Sequence, residues 1–348
     1  MKTKKLAAGI LFGMILAVSL VSCGEQPEMK EVPPDNARNG ILSQAGALTV
    51  PVPQNTGNAV YYPNPDGGVT AMTQQKGAWE SDNVLNDAFV LHMDVLGDEL
   101  ICGTAEGETL AWYVYDTGTD TKAPLPVPET GAAAEALSDA SGVCIIGDGL
   151  YVMHSYWQGI SRIDLTTWEC VSFDSETWDR QVSCAADETS FYVTKPLGLE
   201  VFDLVSGEKA VYDWSGNEVW LGSANIRSSY LTENGRLYLH IAREDAAVPD
   251  EMKRGVLYAD TADLAAEPVP LANLGDLPAY SVTGIYGEYD GTLVLTDGDT
   301  LYAYDTETDR IADLCALPQT DVICSGAYVL TPTSDGYYVI AERPGELS

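Results

Sequence analysis

A short unit recurs six times along this 348-residue chain: a polar turn, an apolar strand, a gap, and a second strand that closes on an acidic turn. The first half of the unit reads Gly97-Asp98-Glu99-Leu100-Ile101-Cys102, Gly147-Asp148-Gly149-Leu150-Tyr151-Val152 and Asp187-Glu188-Thr189-Ser190-Phe191-Tyr192-Val193. It returns as Asn234-Gly235-Arg236-Leu237-Tyr238-Leu239, Asp290-Gly291-Thr292-Leu293-Val294-Leu295 and Asp335-Gly336-Tyr337-Tyr338-Val339-Ile340. Counted from the Asp or Asn that opens each turn, the units lie 50, 39, 47, 56 and 45 residues apart. At such spacings each unit is one supersecondary block that buries its apolar face only against its neighbours.

The second half of the unit reads Trp112-Tyr113-Val114-Tyr115-Asp116, Ser161-Arg162-Ile163-Asp164-Leu165, Leu199-Glu200-Val201-Phe202-Asp203, Val256-Leu257-Tyr258-Ala259-Asp260 and Leu301-Tyr302-Ala303-Tyr304-Asp305. Aromatic and β-branched residues alternate with small or polar ones, the pattern of a half-buried strand. Turns such as Thr117-Gly118-Thr119-Asp120 follow, and only the Ala-rich run from Ala132 to Leu137 has helical character. The chain is therefore all-β.

The C-terminal unit stops at Ser348 without its second pair of strands, while Ala59 to Ala71 reads as a second strand, an acidic turn and an outer strand. N-terminal strands completing the last unit would close a ring of six four-stranded blades and hide the end strands. Seven blades, or an open solenoid, are the alternatives. Leu293-Val294-Leu295-Thr296-Asp297 running to Leu301-Tyr302-Ala303-Tyr304-Asp305, with Tyr156-Trp157 before Ile160 to Leu165, resembles bacterial β-propellers with YncE-like, PQQ-like, NHL or YWTD-type repeats. That resemblance spans residues 59 to 348 and implies a fold; blade motifs carry no catalytic residues with them.

Ahead of the repeats, Lys2, Lys4 and Lys5 precede an apolar run from Leu6 to Val21 that ends in Leu20-Val21-Ser22-Cys23-Gly24. The pattern reads as a secretory signal, and its end resembles the bacterial lipobox. This implies cleavage before Cys23, lipidation of its thiol and an extracytoplasmic, membrane-anchored protein. Residues 1–22 are then the signal, 23–58 a proline-interrupted tether, and 59–348 the propeller domain.

Loss of the signal leaves 15 basic against 52 acidic residues, a net charge of −37. A field of that sign repels nucleic acid and anionic lipid, leaving the lipid chain as the membrane contact. The six domain cysteines, Cys102, Cys144, Cys170, Cys184, Cys315 and Cys324, have no CxxC pairing. They read as mostly buried free thiols, with one disulfide left open. His92, His154 and His240 lack a carboxylate or cysteine at ligand spacing, so no metal or other cofactor is expected. Asp116 with Asp120, and Asp305 with Asp309, lack the glycine and glutamate of an EF-hand and read as turn caps.

In a four-stranded blade, the gaps between second and third strands and between successive blades open on one face. Trp79, Trp178, Trp214 and Trp220 fall in inter-blade stretches and Trp157 in an internal gap, with His154, Tyr156 and Arg180 beside them. Aromatic anchors with arginine favour the centre of an interface; alternatively, such rings wedge between blades. The reading is a monomeric binding or scaffold protein whose ligand is a protein or a saccharide. The alternative is a carbohydrate hydrolase or lyase with carboxylates at the channel mouth.

Overall fold

In the computed structural model the repeats become blades around an axis. Described are most of residues 38–342; residues 1–37, 43–53 and 343–348, and stretches between strands that include 155–158, 174–182, 218–220 and 244–253, lie outside the described part. The signal, Cys23 and most of the tether fall there.

After β1 (Arg38–Leu42), the first blade is β2 (Gln54–Asn55), β3 (Ala59–Pro63), β4 (Val69–Gln75) and β5 (Ala78–Val84). The second is β6 (Val90–Leu96), β7 (Glu99–Glu106), β8 (Thr109–Asp116) and β9 (Thr121–Pro124). Helix α1 (Ala132–Ser138) leads into the third: β10 (Ala140–Ile146), β11 (Gly149–His154), β12 (Ile160–Asp164) and β13 (Cys170–Phe173). The fourth is β14 (Ser183–Ala186), β15 (Ser190–Lys195), β16 (Gly198–Asp203) and β17 (Lys209–Asp213). The fifth holds β18 (Asn225–Leu231), β19 (Arg236–Ala242), β20 (Arg254–Asp260) and β21 (Val269–Pro270). The sixth holds β22 (Gly284–Tyr289), β23 (Thr292–Thr296), β24 (Thr300–Asp305) and β25 (Arg310–Ala316). These six four-stranded antiparallel blades are joined by a three-stranded C-terminal sheet, β26 (Ile323–Ser325), β27 (Tyr328–Thr333) and β28 (Gly336–Glu342).

The first strands of successive blades run side by side, β6 with β10, β14 with β18, and β22 with β26. The C-terminal β28 contacts both β25 and β5, so the last described sheet meets the first blade and the ring closes. The N-terminal strands do this as a blade of their own rather than inside the last sheet. The reason is β5, whose Ala78 pairs with Gln75 and which supplies the fourth strand. Glu80, Ser81, Asp82 and Asn83 gave that strand a polar surface with little apolar alternation. The stretch read as a tether also contributes β1, which pairs antiparallel with β14 on its inner edge, Arg38 opposite Ala186 and Leu42 opposite Cys184. A paired edge no longer offers unbonded N–H and C=O groups.

The shared residues of the repeat build one end of the ring, the turn end. Gly97 and Gly147 take φ of +62° and +61°, as a type II′ hairpin requires at its first central position. Asp116 Oδ1 accepts from the N–H groups of Gly118 and Thr119, both at 2.9 Å, and Asp164 and Asp203 cap their turns in the same way. These donors, Thr119, Thr167 and Ser206 foremost, hold the three carboxyls below the usual carboxylate range. The partner aspartates act differently: Asp120 accepts from Tyr115 Oη and Asp309 from Tyr304 Oη, each at 2.8 Å. The residue after each closing Asp then bonds to the blade's other turn, as Thr117 Oγ1 does to Asp98 O at 2.6 Å and Thr306 Oγ1 to Gly291 O at 3.0 Å. The Asp pairs are turn devices.

The apolar core lies between blades. Phe191 and Phe202 of the fourth blade pack with Cys144, Tyr151 and Phe173 of the third, and Phe173 meets Phe202 edge-on at 6.1 Å. Leu237, Leu239 and Leu257 of the fifth pack with Tyr192 and Leu199 of the fourth. All six described cysteines are free thiols, with Cys102, Cys144 and Cys184 buried.

Candidate functional site at the loop end

Opposite the turn end, the inner strands share a second device that periodicity does not reveal. Register shifts between Val90 and His92, Ala140 and Gly142, Ile226 and Ser228, and Ile285 and Gly287 each insert one extra residue at the start of an inner strand. The inserted residues are Leu91, Ser141, Arg227 and Tyr286. A bulge leaves its extra residue out of the ladder and re-aims its side chain. The four differ in chemistry, so the bulges give the second, third, fifth and sixth blades different groups at the loop end.

A groove of about 410 Å³ opens there between α1 and the third blade. Its floor is Ile160 and Phe173, both buried; Glu135 and the C-cap Asp139, both exposed, line its α1 side. The strands contribute a hydroxyl–imidazole chain. His154 Nε2 lies 2.7 Å from Ser161 Oγ, which lies 2.9 Å from Ser172 Oγ. Ser161 is buried, whereas Ser172 is exposed, so the buried hydroxyl fixes the orientation of a ring and of a surface hydroxyl. The bulge residue Ser141 donates to the carbonyls of Met153 and His154, both at 3.2 Å, and braces the end of β11. The arrangement offers an apolar floor, hydroxyl and imidazole groups able to donate or accept, and two carboxylates: a place for a polar or cationic ligand.

The expected site residues separate. His154 lines the groove. Tyr156, Trp157, Trp178, Arg180 and Trp220 lie outside the described residues, the first two between His154 and Gly159 in sequence. Two expectations are corrected. Trp79 is not in an inter-blade stretch but in β5, paired with Gln74. Trp214 is fully buried, and its Nε1–H donates to Leu264 O at 3.2 Å, so it wedges the fourth blade against the fifth. Trp112 does the same between the second blade and α1, donating to Leu137 O at 3.3 Å and stacking on His92 at 5.8 Å. Indole rings that find both area and a carbonyl acceptor are core groups. Ser161, Ser172, Glu135 and Asp139 were not foreseen; the nearest sequence signal was the Ala-rich helix, which interrupts the repeat just before β10.

No protein family and no curated protein matches the sequence. Among solved structures, the chain is similar to one in the crystal structure of the Mitotic Checkpoint Complex, at 14% identity and a TM-score of 0.53, covering 96% of this chain and 99% of that one. It is also similar to the WD40 domain of Neurospora crassa Pan2, at 10% identity, a TM-score of 0.49 and coverage of 84% and 87%. A third likeness is to the N-terminal domain of Nup159, at 12% identity, a TM-score of 0.47 and coverage of 88% and 96%. The protein is a β-propeller with six four-stranded blades, and these likenesses concern the fold.

Proposed function

We propose that the protein is a lipid-anchored extracytoplasmic propeller that binds a protein or saccharide ligand at the loop end of its third blade. The groove carries this reading: it joins an apolar floor to oriented polar groups, the usual composition of a recognition site. Cys23 in its lipobox-like setting provides the anchor. In a chain with 52 acidic against 18 basic residues, Glu135 and Asp139 favour a cationic side chain or a polyol over an anion. The hydrolase or lyase reading would use the same two carboxylates. Both hang from one side of the groove, four residues apart on α1 and its cap, so they do not flank a bond as a glycosidase pair does.

The test uses the full protein, immobilised and offered envelope proteins and a glycan array. Retention that is lost in Glu135→Gln/Asp139→Asn, with unfolding unchanged, supports the groove; equal retention by the variant overturns it. Mass analysis of Cys23 and the membrane partition of Cys23→Ala test the anchor.

A further inference from the structure

Two blades beyond the groove, the repeat departs from its own pattern. The residue of the second strand that pairs just after the inner-strand bulge is Gly103 in the second blade, Met153 in the third and Val294 in the sixth. None has a side chain that forms hydrogen bonds of consequence. In the fifth blade the position is His240, opposite Ser228. Its side chain is more than nine-tenths buried, and among the described residues its Nε2 has no hydrogen-bond partner. A buried polar atom without a partner is unusual enough in a folded protein to require a reason.

The surroundings supply one. Ala242 lies two residues from His240 on β19 and pairs with Arg254, so strand alternation puts His240 and Arg254 on one face of the sheet. Arg254 is exposed, and among the described residues no carboxylate lies within ion-pair distance of it. Arg227 is the inserted bulge residue one strand away. Both guanidiniums lie close enough to His240 to add to the burial that pushes its pKa down to about 4. The ring is therefore neutral at pH 7, and its unpartnered Nε2 lies in the neighbourhood of two guanidiniums. Two arginines thus stand near an unpartnered imidazole in an otherwise acidic chain.

We infer that His240, Arg254 and Arg227 form an oxyanion-binding site at the loop end of the fifth blade, taking a carboxylate or phosphate group. The arginines supply charge and the imidazole a directed N–H, the combination that charge-assisted recognition of such groups uses. The site is independent of the groove, whose carboxylates would repel the same ligand.

The experiment titrates the full protein with inorganic phosphate and, separately, glucuronate, and follows the three imidazoles by nitrogen–proton correlation spectra. The His240 signal is assigned by its loss in His240→Gln. The expected result is a saturable shift of the His240 signal with either probe while His92 and His154 stay in place. Affinity falls about tenfold or more in Arg254→Gln, whose exposed side chain is not needed for folding, and is kept in Arg162→Gln at the turn end. Response to phosphate alone or glucuronate alone assigns the preferred oxyanion. No shift with either probe, or equal binding by Arg254→Gln, overturns the site. Glu135→Gln/Asp139→Asn leaves this binding unchanged, so the two sites fail separately.

Discussion

Asp94 Oδ2 accepts the backbone N–H of Ile145 at 2.6 Å, and this buried bond ties the inner strand of the second blade to that of the third. The other carboxylate oxygen accepts from Val95 N–H at 2.7 Å. Where the fourth and fifth blades meet, Ser183 Oγ does comparable work, accepting from Ser229 N–H at 2.8 Å. Inner strands of neighbouring blades are not in one ladder, so a side chain has to satisfy the groups that face across. Asp94→Ala leaves two N–H groups without their acceptor, each costing roughly 1–3 kcal/mol when buried. A loss of about 3 kcal/mol in urea-induced unfolding is expected, and a loss under about 0.5 kcal/mol would show that the bond does not hold the blades.

Stability should fall on mild acidification. Burial pushes both His92 and His240 from 6.5 down to about 4, with the nearby arginines adding to the effect at His240. A base whose pKa is lower in the folded state takes up its proton first in the unfolded chain. Stability is therefore full above about pH 6.5 and is lost as pH drops toward 4. Each ring accounts for about 3 kcal/mol over that window. Denaturant midpoints measured from pH 7 to 4 should show the decline, and His92→Gln should remove part of its slope. A flat profile in the native protein would contradict the burial of both rings.

Trp214 separates wedge from ligand anchor. Its ring is fully buried between the fourth and fifth blades, so Trp214→Ala should cost about 3–5 kcal/mol, the usual loss for deleting a large core side chain. Trp214→Phe, which keeps much of the area but drops the bond to Leu264 O, should cost about 1–2 kcal/mol. Near-native thermal stability of the alanine variant would restore the ring to the surface.

The turns and strands of the blades were readable because local chemistry enforces them. Gly97-Asp98, the capping Asp116 and the alternation in Leu301-Tyr302-Ala303-Tyr304 each act within a few residues, and each appears in the structure where the repeat puts it. β5 was not legible, because an outer strand with an exposed polar surface has no period of two to betray it. The bulges at Leu91, Ser141, Arg227 and Tyr286 were hidden for a related reason: one extra residue breaks the alternation by which a strand is recognised. Tryptophan misled for the opposite reason. Composition marks an indole as an interface residue, but Trp214 and Trp112 find carbonyl acceptors only in the folded ring, through partners 50 and 25 residues away.

The thiols should report the closed ring. Burial raises Cys102 to about 12 and pushes Cys184 up as well, and both are packed between blades. Thiolate is the reactive form. Iodoacetamide at pH 8 should leave Cys102, Cys144 and Cys184 unmodified in the native protein and label all three after unfolding, counted by mass. Rapid native labelling at any of them would mean that the blades part on the timescale of alkylation.

The groove makes the most direct demand on function. Ser161 is buried and holds His154 on one side and Ser172 on the other, so its hydroxyl is the joint of the chain. Ser161→Ala should cost only about 1 kcal/mol of stability, the net worth of a typical hydrogen bond, because the two released groups lie near the surface. It should nevertheless weaken ligand capture by about tenfold, since the imidazole and the Ser172 hydroxyl lose their fixed orientation. Ser161→Thr, which keeps a hydroxyl at the same place, should recover much of that binding. Paired measurements of unfolding and ligand retention on the two variants decide the matter. Retention that follows stability would make the chain part of the scaffold, whereas retention that follows the hydroxyl would make it part of the binding surface.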